Sequence, residues 1–246
     1  GFHGSILSKI FCFPSITFGD DPSTGDYKLK LFFSNKTYYC LFTKKFIQIS
    51  KKAKIFKCLK EWAYLNPRCF IPDKETLKKY GLRPYEYIFI REVSTGSLNY
   101  ARQKSGLVHS VHNMIPLNYK VLFSLEDKSQ RHLYPENWIL LEEPIQDIHS
   151  LIYFSRTLIS SGDSMAREAA ILGTPAIYLG IRTMPANEVL KELVDFYQVD
   201  PKSFQQTLNF CLNNFSADKK QRNIENLSEK FMDINEFIVR ITRNIL

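Results

Sequence analysis

The stretch Leu158–Gly180, LISSGDSMAREAAILGTPAIYLG, concentrates residues whose types and spacing suit an anion. An apolar run enters Ser161-Gly162-Asp163-Ser164, an amphipathic segment follows, and Gly173-Thr174-Pro175 closes it before a second apolar run. Small residues at a strand-to-helix turn leave backbone N–H groups unobstructed at the helix N-terminus. There the free amides and the helix dipole act together on a phosphate. Gly162 allows close approach, and the hydroxyls of Ser161 and Ser164 add donors. Glu168, four residues after Ser164, faces the same end of the helix. A carboxylate there accepts both hydroxyls of a ribose; it is equally an ordinary acid favoured by the dipole.

The elements that must hold this turn follow from the apolar pattern. EYIFIREV (Glu86–Val93), YKVLFSL (Tyr119–Leu125), NWILLEE (Asn137–Glu143), RTLISS (Arg156–Ser161) and PAIYLG (Pro175–Gly180) read as strands. Their apolar character is continuous rather than alternating, as in a parallel sheet covered on both faces. Helices are predicted over Ala101–Met114, Asp147–Phe154, Ser164–Leu172, Asn187–Tyr197, Pro201–Phe215 and Asp218–Ile245. Pro201 sits at an N1-like position and Asp218 at an N-cap. The last helix carries an apolar stripe, Ile224, Leu227, Phe231, Ile234, Ile238 and Ile241. The pattern is α/β, a Rossmann-like doubly wound parallel sheet. Ahead of it, Gly4–Phe13 reads as a short helix, Pro14–Asp20 as a strand, DDPSTGD as a turn and Thr37–Phe42 as a strand. Lys54–Leu82 has the Pro-punctuated look of an inter-domain crossing.

Composition bounds the rest. The chain has 246 residues, 44% hydrophobic and 24% charged, enough to bury a core and inconsistent with a disordered polymer. No apolar run reaches the roughly 18–20 residues of a membrane span, and GFHGSILSKIFCFPS lacks the basic start and cleavage site of a signal peptide. A charge of +8 favours anionic partners. Lys51–Lys60, with Phe56 and Trp62 nearby, interleaves bases and aromatics as nucleic-acid binders do, and as an amphipathic linker helix does. The five cysteines (Cys12, Cys40, Cys58, Cys69, Cys211) form no CxxC, so neither a disulfide framework nor a zinc site is expected and a reducing cytoplasm fits. His109 and His112 are spaced to share a metal, with no carboxylate motif beside them.

The run S-G-D-S-M-x-x-E-A-A-x-L-G-T-P resembles the nucleotide-binding signature in the C-terminal domain of GT-B-fold enzymes. It is similar to UDP-N-acetylglucosamine 2-epimerases, and more so to a bacterial and archaeal family of predicted glycosyltransferases related to them. FKCLKEWAYLNPRCFIPD (Phe56–Asp73), YIFIREVS (Tyr87–Ser94) and PIQDIHSLIYFSRTLISSGDSM (Pro144–Met165) agree in order, so the resemblance spans Phe56 to Tyr197.

The resemblance implies a donor site in which Gly162, Ser164 and the intervening amide of Asp163 face a diphosphate and Glu168 a ribose. Arg91, ending the first strand of the sheet, would pair with phosphate or with a nearby carboxylate. Two departures stand out. Asp163 occupies a position usually uncharged, and a carboxylate near a diphosphate opposes binding unless it points away or meets a cation. The loop Ser94-Thr95-Gly96-Ser97-Leu98-Asn99-Tyr100 lacks the histidine that both families carry, leaving Asn99 and Tyr100 without equivalent acid–base capacity.

The implied organisation is an incomplete first Rossmann-like domain (1–50), a linker (51–84), a nucleotide-binding domain (85–215) and a C-terminal helix crossing back to the first domain (216–246). A usual member would carry about 80–100 further residues ahead of Gly1. The expected function is that of a sugar-nucleotide-dependent glycosyltransferase-like protein in surface polysaccharide or glycoconjugate biosynthesis. The alternatives are a 2-epimerase-like enzyme and a catalytically inactive nucleotide-binding module. The expected partner is a nucleotide sugar such as a UDP-sugar, used as substrate, together with an N-terminal half or a second copy of the chain. No other cofactor, metal, nucleic acid or transmembrane segment is expected. No catalytic residue is assigned.

Overall fold

The computed structural model describes residues 2–19, 27–40, 51–94, 96 and 103–244. These form two parallel sheets. The first has β1 (Ile16–Gly19), β2 (Lys36–Cys40) and β3 (Ala53–Phe56) side by side, with α1 (Phe2–Ile10) ahead of β1 and α2 (Tyr27–Phe33) between β1 and β2. The strand β3 lies in the stretch that the Lys-rich sequence marks as linker; its four residues are too few to show a strand pattern. A short helix, α3 (Trp62–Leu65), and a 3-10 segment over Lys74–Tyr80 then lead to the second sheet.

That sheet contains β4 (Tyr87–Glu92), β5 (Lys120–Leu125), β6 (Ile139–Leu140), β7 (Thr157–Ser160), β8 (Ala176–Tyr178) and β9 (Phe196–Gln198). The spatial order is β6-β5-β4-β7-β8-β9, all parallel. The chain winds outward from β4 to β6, returns to the other side at β7, and winds outward again. The doubly wound expectation is met, and the order reverses between β4 and β7, where such sheets open a crevice beyond their strand C-termini. In register, Arg91 at the end of β4 stands beside Ser160 at the end of β7.

Both faces of this sheet are covered, which is why its central strands carry apolar residues on both. Tyr87 and Phe89 of β4 pack on one side with Leu122, Leu158, Ala166 and Tyr178. Ile88 and Ile90 pack on the other with Val111, Phe123, Trp138, Ile159 and Phe204. The covering helices include α4 (Ile148–Tyr153), capped by the Asp147 carboxylate on the Ser150 amide, and α5 (Asp163–Ile171). Gly173 ends α5 with φ +72°, and a Cβ there would lie 2.7 Å from the backbone oxygen of Lys220.

Several predicted helices differ from those observed. Asn187–Tyr197 splits into α6 (Pro185–Leu193) and the edge strand β9. Residues 201–203 form a turn, and α7 runs over Phe204–Asn213. The long C-terminal helix is two: α8 (Ala217–Lys230), capped by Ser216 rather than Asp218, and α9 (Ile234–Arg243), capped by Asp233. The break falls where the Met232 amide donates to the Lys57 carbonyl, so tertiary pairing interrupts the stripe. Beyond it, Phe237 meets Tyr38 and Phe56 of the first sheet, with centroids 5.2 and 6.4 Å away. Of the stretch Ala101–Met114, residues 101–102 lie outside the described residues. Gly106 at φ +71° precedes only a 3-10 turn over His109–Met114. The DDPSTGD turn, Leu41–Phe42, Thr95, Asn99 and Tyr100 also lie outside the described residues. Among the described residues, no helix is long and apolar enough to cross a membrane.

Candidate functional site

The turn from β7 into α5 lies at the C-terminal edge of the second sheet, beside the reversal of strand order. Its shape is fixed from within. The Gly162 amide donates to Ser160 Oγ (2.9 Å), and that hydroxyl donates to the Gly162 carbonyl (2.7 Å). Gly162 is the N-cap of α5 with φ −108° and ψ 139°, a conformation open to any residue. Its contribution is therefore the missing side chain, so the N-cap residue itself places no cap on the first amides of α5. Ser164, in that first turn, is exposed. Ser161 turns the other way, its buried Oγ accepting from the Val93 amide at 2.8 Å, so its hydroxyl holds β7 to β4 rather than facing a ligand.

Asp163 resolves the difficulty raised by its charge. Its side chain is sealed from solvent, with Oδ2 2.7 Å from Arg167 Nη1 and 3.5 Å from Arg182 Nη1. Arg167, equally buried, donates through Nε to Glu61 Oε1 at 2.9 Å, and Nη1 reaches Asn187 Oδ1 at 3.3 Å. Burial alone would lower the guanidinium pKa, but Glu61 and Asp163 outweigh it and raise it above its ordinary value. Two carboxylates thus face two guanidinium groups, and the charge of Asp163 is met inside. Arg182, beyond the end of β8 and 22% exposed, brings a cation to the same edge. Only the three-dimensional meeting of these segments reveals it.

Glu168 lies one turn further along α5, with 18% of its side chain exposed. Its Oε1 accepts the Tyr64 hydroxyl at 2.8 Å, and Oε2 lies 3.6 Å from His149 Nε2. Burial pushes its pKa up, but the His149 and Tyr64 contacts more than reverse this and hold the carboxyl below its ordinary range. Neither partner stands out in the sequence. Tyr64 is 104 residues distant on α3. His149 has one topological signal, its place in the first turn of the helix that precedes β7, next to the helix that follows it.

Arg91 has the nearby carboxylate that its second reading named. Its guanidinium donates to Ser124 Oγ (2.6 Å) and pairs with Glu126, whose other oxygen accepts the Ser94 amide at 2.7 Å. It still lines an open cleft of about 640 Å³ with Glu143, Pro144, Ile145, Ile148 and Met165, on the same flank of α5 as Glu168. Behind the turn, the buried Glu92 accepts from the Val108 amide (2.8 Å) and the Tyr134 hydroxyl (3.0 Å). His109 and His112 stack on each other. Among the described residues, no group of three or more His, Cys, Asp or Glu could hold a metal ion.

A family model described as a protein of unknown function, DUF354, matches residues 32–239, which take in both sheets from β2 onward and every residue of this site. The chain belongs to the DUF354 family. No protein of curated function matches it. Solved structures do match this DUF354 chain in fold. The UDP-N-acetylglucosamine 2-epimerase from Rickettsia bellii superposes with a TM-score of 0.69 at 14% identity, over 99% of this chain and 70% of that one. The UDP-GlcNAc 2-epimerase from Neisseria meningitidis, solved bound to UDP-GlcNAc, gives 0.69 at 12% identity over 99% and 73%. The spinosyn forosaminyltransferase SpnP gives 0.65 at 11% over 99% and 73%. These likenesses establish a GT-B, Rossmann-like fold for this DUF354 chain.

Proposed function

We propose that this chain binds the nucleoside diphosphate of an activated sugar donor at the β7–α5 turn, as a glycosyltransferase-like protein. The observation that carries this reading is the turn itself. The N-terminus of α5, capped by a glycine with no side chain, sits at the reversal of strand order, the Asp163 charge is met inside, Ser164 is exposed, and Glu168 stands one turn along. In this reading the amides of Asp163 and Ser164 and the Ser164 hydroxyl hold the diphosphate beside Gly162. Arg182 supports its charge, and Glu168 accepts the ribose hydroxyls. Arg91 orders the rim of the cleft through Glu126 and Ser124. The structural neighbours solved with UDP or UDP-GlcNAc support the choice of ligand class.

Transfer would proceed by displacement at the anomeric carbon. The bond from that carbon to the diphosphate oxygen breaks as an acceptor oxygen attacks, and the departing charge develops where the helix dipole and the exposed Ser164 are already placed. Residues 85–215 would be the donor-binding domain and 1–50, with β3 of the following stretch, part of the acceptor side, joined by the rest of 51–84, with 216–246 crossing back. The contacts of Phe237 with Tyr38 and Phe56 support that last assignment. We assign the protein to the cytoplasm and to surface polysaccharide or glycoconjugate synthesis.

Ser164→Asp tests the turn. A carboxylate in an exposed first turn suits the helix dipole, so thermal unfolding should stay level or rise. Binding of UDP, GDP or ADP, whichever the native chain takes, should be abolished. Unchanged binding in a folded variant would refute the site.

A further inference from the structure

The Glu168 carboxylate meets side chains from two other segments, with a hydrogen bond from Tyr64 on one oxygen and His149 beside the other. Tyr64 is fixed through its hydroxyl, 2.8 Å from Oε1, yet 43% of the residue is exposed. Its ring packs 5.6 Å from the His149 ring, which in turn meets Phe70 edge-on at 6.1 Å. His149 Nε2 addresses the other carboxylate oxygen at 3.6 Å. A carboxylate has about four lone-pair directions, so the Tyr64 hydrogen bond on Oε1, with the His149 ring beside Oε2, orients the group and leaves acceptor capacity on both oxygens. That is the disposition needed by two adjacent hydroxyls approaching from the exposed side.

Resting on the nucleotide-binding reading above, we infer that Tyr64 and His149 are positioning residues that fix Glu168 to recognise the cis-diol of a ribonucleotide. Burial and the Glu168 charge keep the Tyr64 phenol protonated as a donor, and the same contacts keep Glu168 ionised as an acceptor. A chain contact whose role was only to tie α3 to α5 would not need both oxygens of one partly exposed carboxylate. Because Tyr64 lies on α3, between the two sheets in sequence, ribose recognition depends on residues outside the sheet that carries the turn.

The test is discrimination between a ribonucleotide and its 2′-deoxy counterpart. The native chain, Tyr64→Phe, His149→Gln and His149→Phe are titrated with UDP, GDP and ADP and with the corresponding 2′-deoxy diphosphates, after thermal unfolding shows each to be folded. The native chain should prefer a ribonucleotide. Tyr64→Phe, which keeps the ring and removes the hydroxyl, should lose about tenfold of that preference, while its affinity for the deoxy compound stays level. His149→Gln, which keeps a donor, should retain more of the preference than His149→Phe. If Tyr64→Phe discriminates as the native chain does, or weakens both ligands equally, the positioning role is wrong even though nucleotide binding stands. If the native chain binds none of the diphosphates, the nucleotide reading and this inference fall together.

Discussion

Asp163 and Arg167 stand four residues apart on α5 with carboxylate and guanidinium 2.7 Å from each other, both shielded from solvent. A residue whose charge opposes a diphosphate is thereby turned into an internal anchor for the helix that would bind one. The pair is extended by Glu61 from the segment ahead of the second sheet and by Arg182 from the end of β8. The turn is held from both sides.

Removing the shared cation should be costly. Arg167→Met leaves Glu61 and Asp163 buried without their common partner, a loss of about 3–5 kcal/mol. Urea denaturation of the two proteins measures it; a loss below about 1 kcal/mol would mean the network is not sealed as described. By the same geometry, Asp163→Gly should not strengthen nucleotide binding, since the carboxylate it deletes does not face the ligand.

Glu168 links stability to acidity. Its folded pKa lies below the ordinary 4.5, so the unfolded chain takes up its proton first as pH falls. The stabilisation is complete above about 4.5 and is lost as pH drops through the folded value. The difference in urea midpoint between the native chain and Glu168→Gln should be level at neutral pH and shrink below about pH 4.5. A difference that grows on acidification would contradict the assigned contacts.

Lys220 links stability to pH with the same sign, in the alkaline range. Its ammonium, 3% exposed as a residue, donates to the Tyr153 carbonyl (2.8 Å) and Thr174 Oγ1 (2.6 Å), and burial drives its pKa well below 10.5. The unfolded chain therefore binds more protons between the folded value and 10.5, and stability contributed at this site should rise with pH across that interval. Comparison with Lys220→Met from about pH 7 to about pH 10 isolates the slope. A flat difference would mean that the amine titrates alike in both states.

The same α8 backbone makes Gly173 irreplaceable. Gly173→Ala combines a left-handed φ of +72° with a methyl 2.7 Å from the Lys220 carbonyl oxygen. It should cost about 1–3 kcal/mol from backbone strain alone, with the close contact adding to it. A thermal midpoint unchanged from the native chain would show that α8 lies further away.

What was legible in the sequence follows from what is local. Tyr87–Glu92 and Thr157–Ser160 are apolar on both faces because both are covered, and Gly173-Thr174-Pro175 announces the end of α5 without reference to anything distant. The Phe231–Asp233 break could have been found, since Asp233 with Glu236 three residues on is an N-cap signature, but the apolar stripe runs through it. The direction of the Asp163 side chain could not. It depends on Arg167 meeting Glu61, and the hold on Glu168 depends on Tyr64, more than a hundred residues upstream. Polar networks assembled from separate segments leave no periodicity to read.

The most direct test is calorimetric titration of the chain with UDP, UDP-N-acetylglucosamine, GDP and ADP, beside Glu168→Ala. Saturable binding of a nucleoside diphosphate by the native chain, lost in a folded Glu168→Ala, is the predicted result. A folded native chain that binds none of them, or a variant that binds as well as the native chain, would contradict the account.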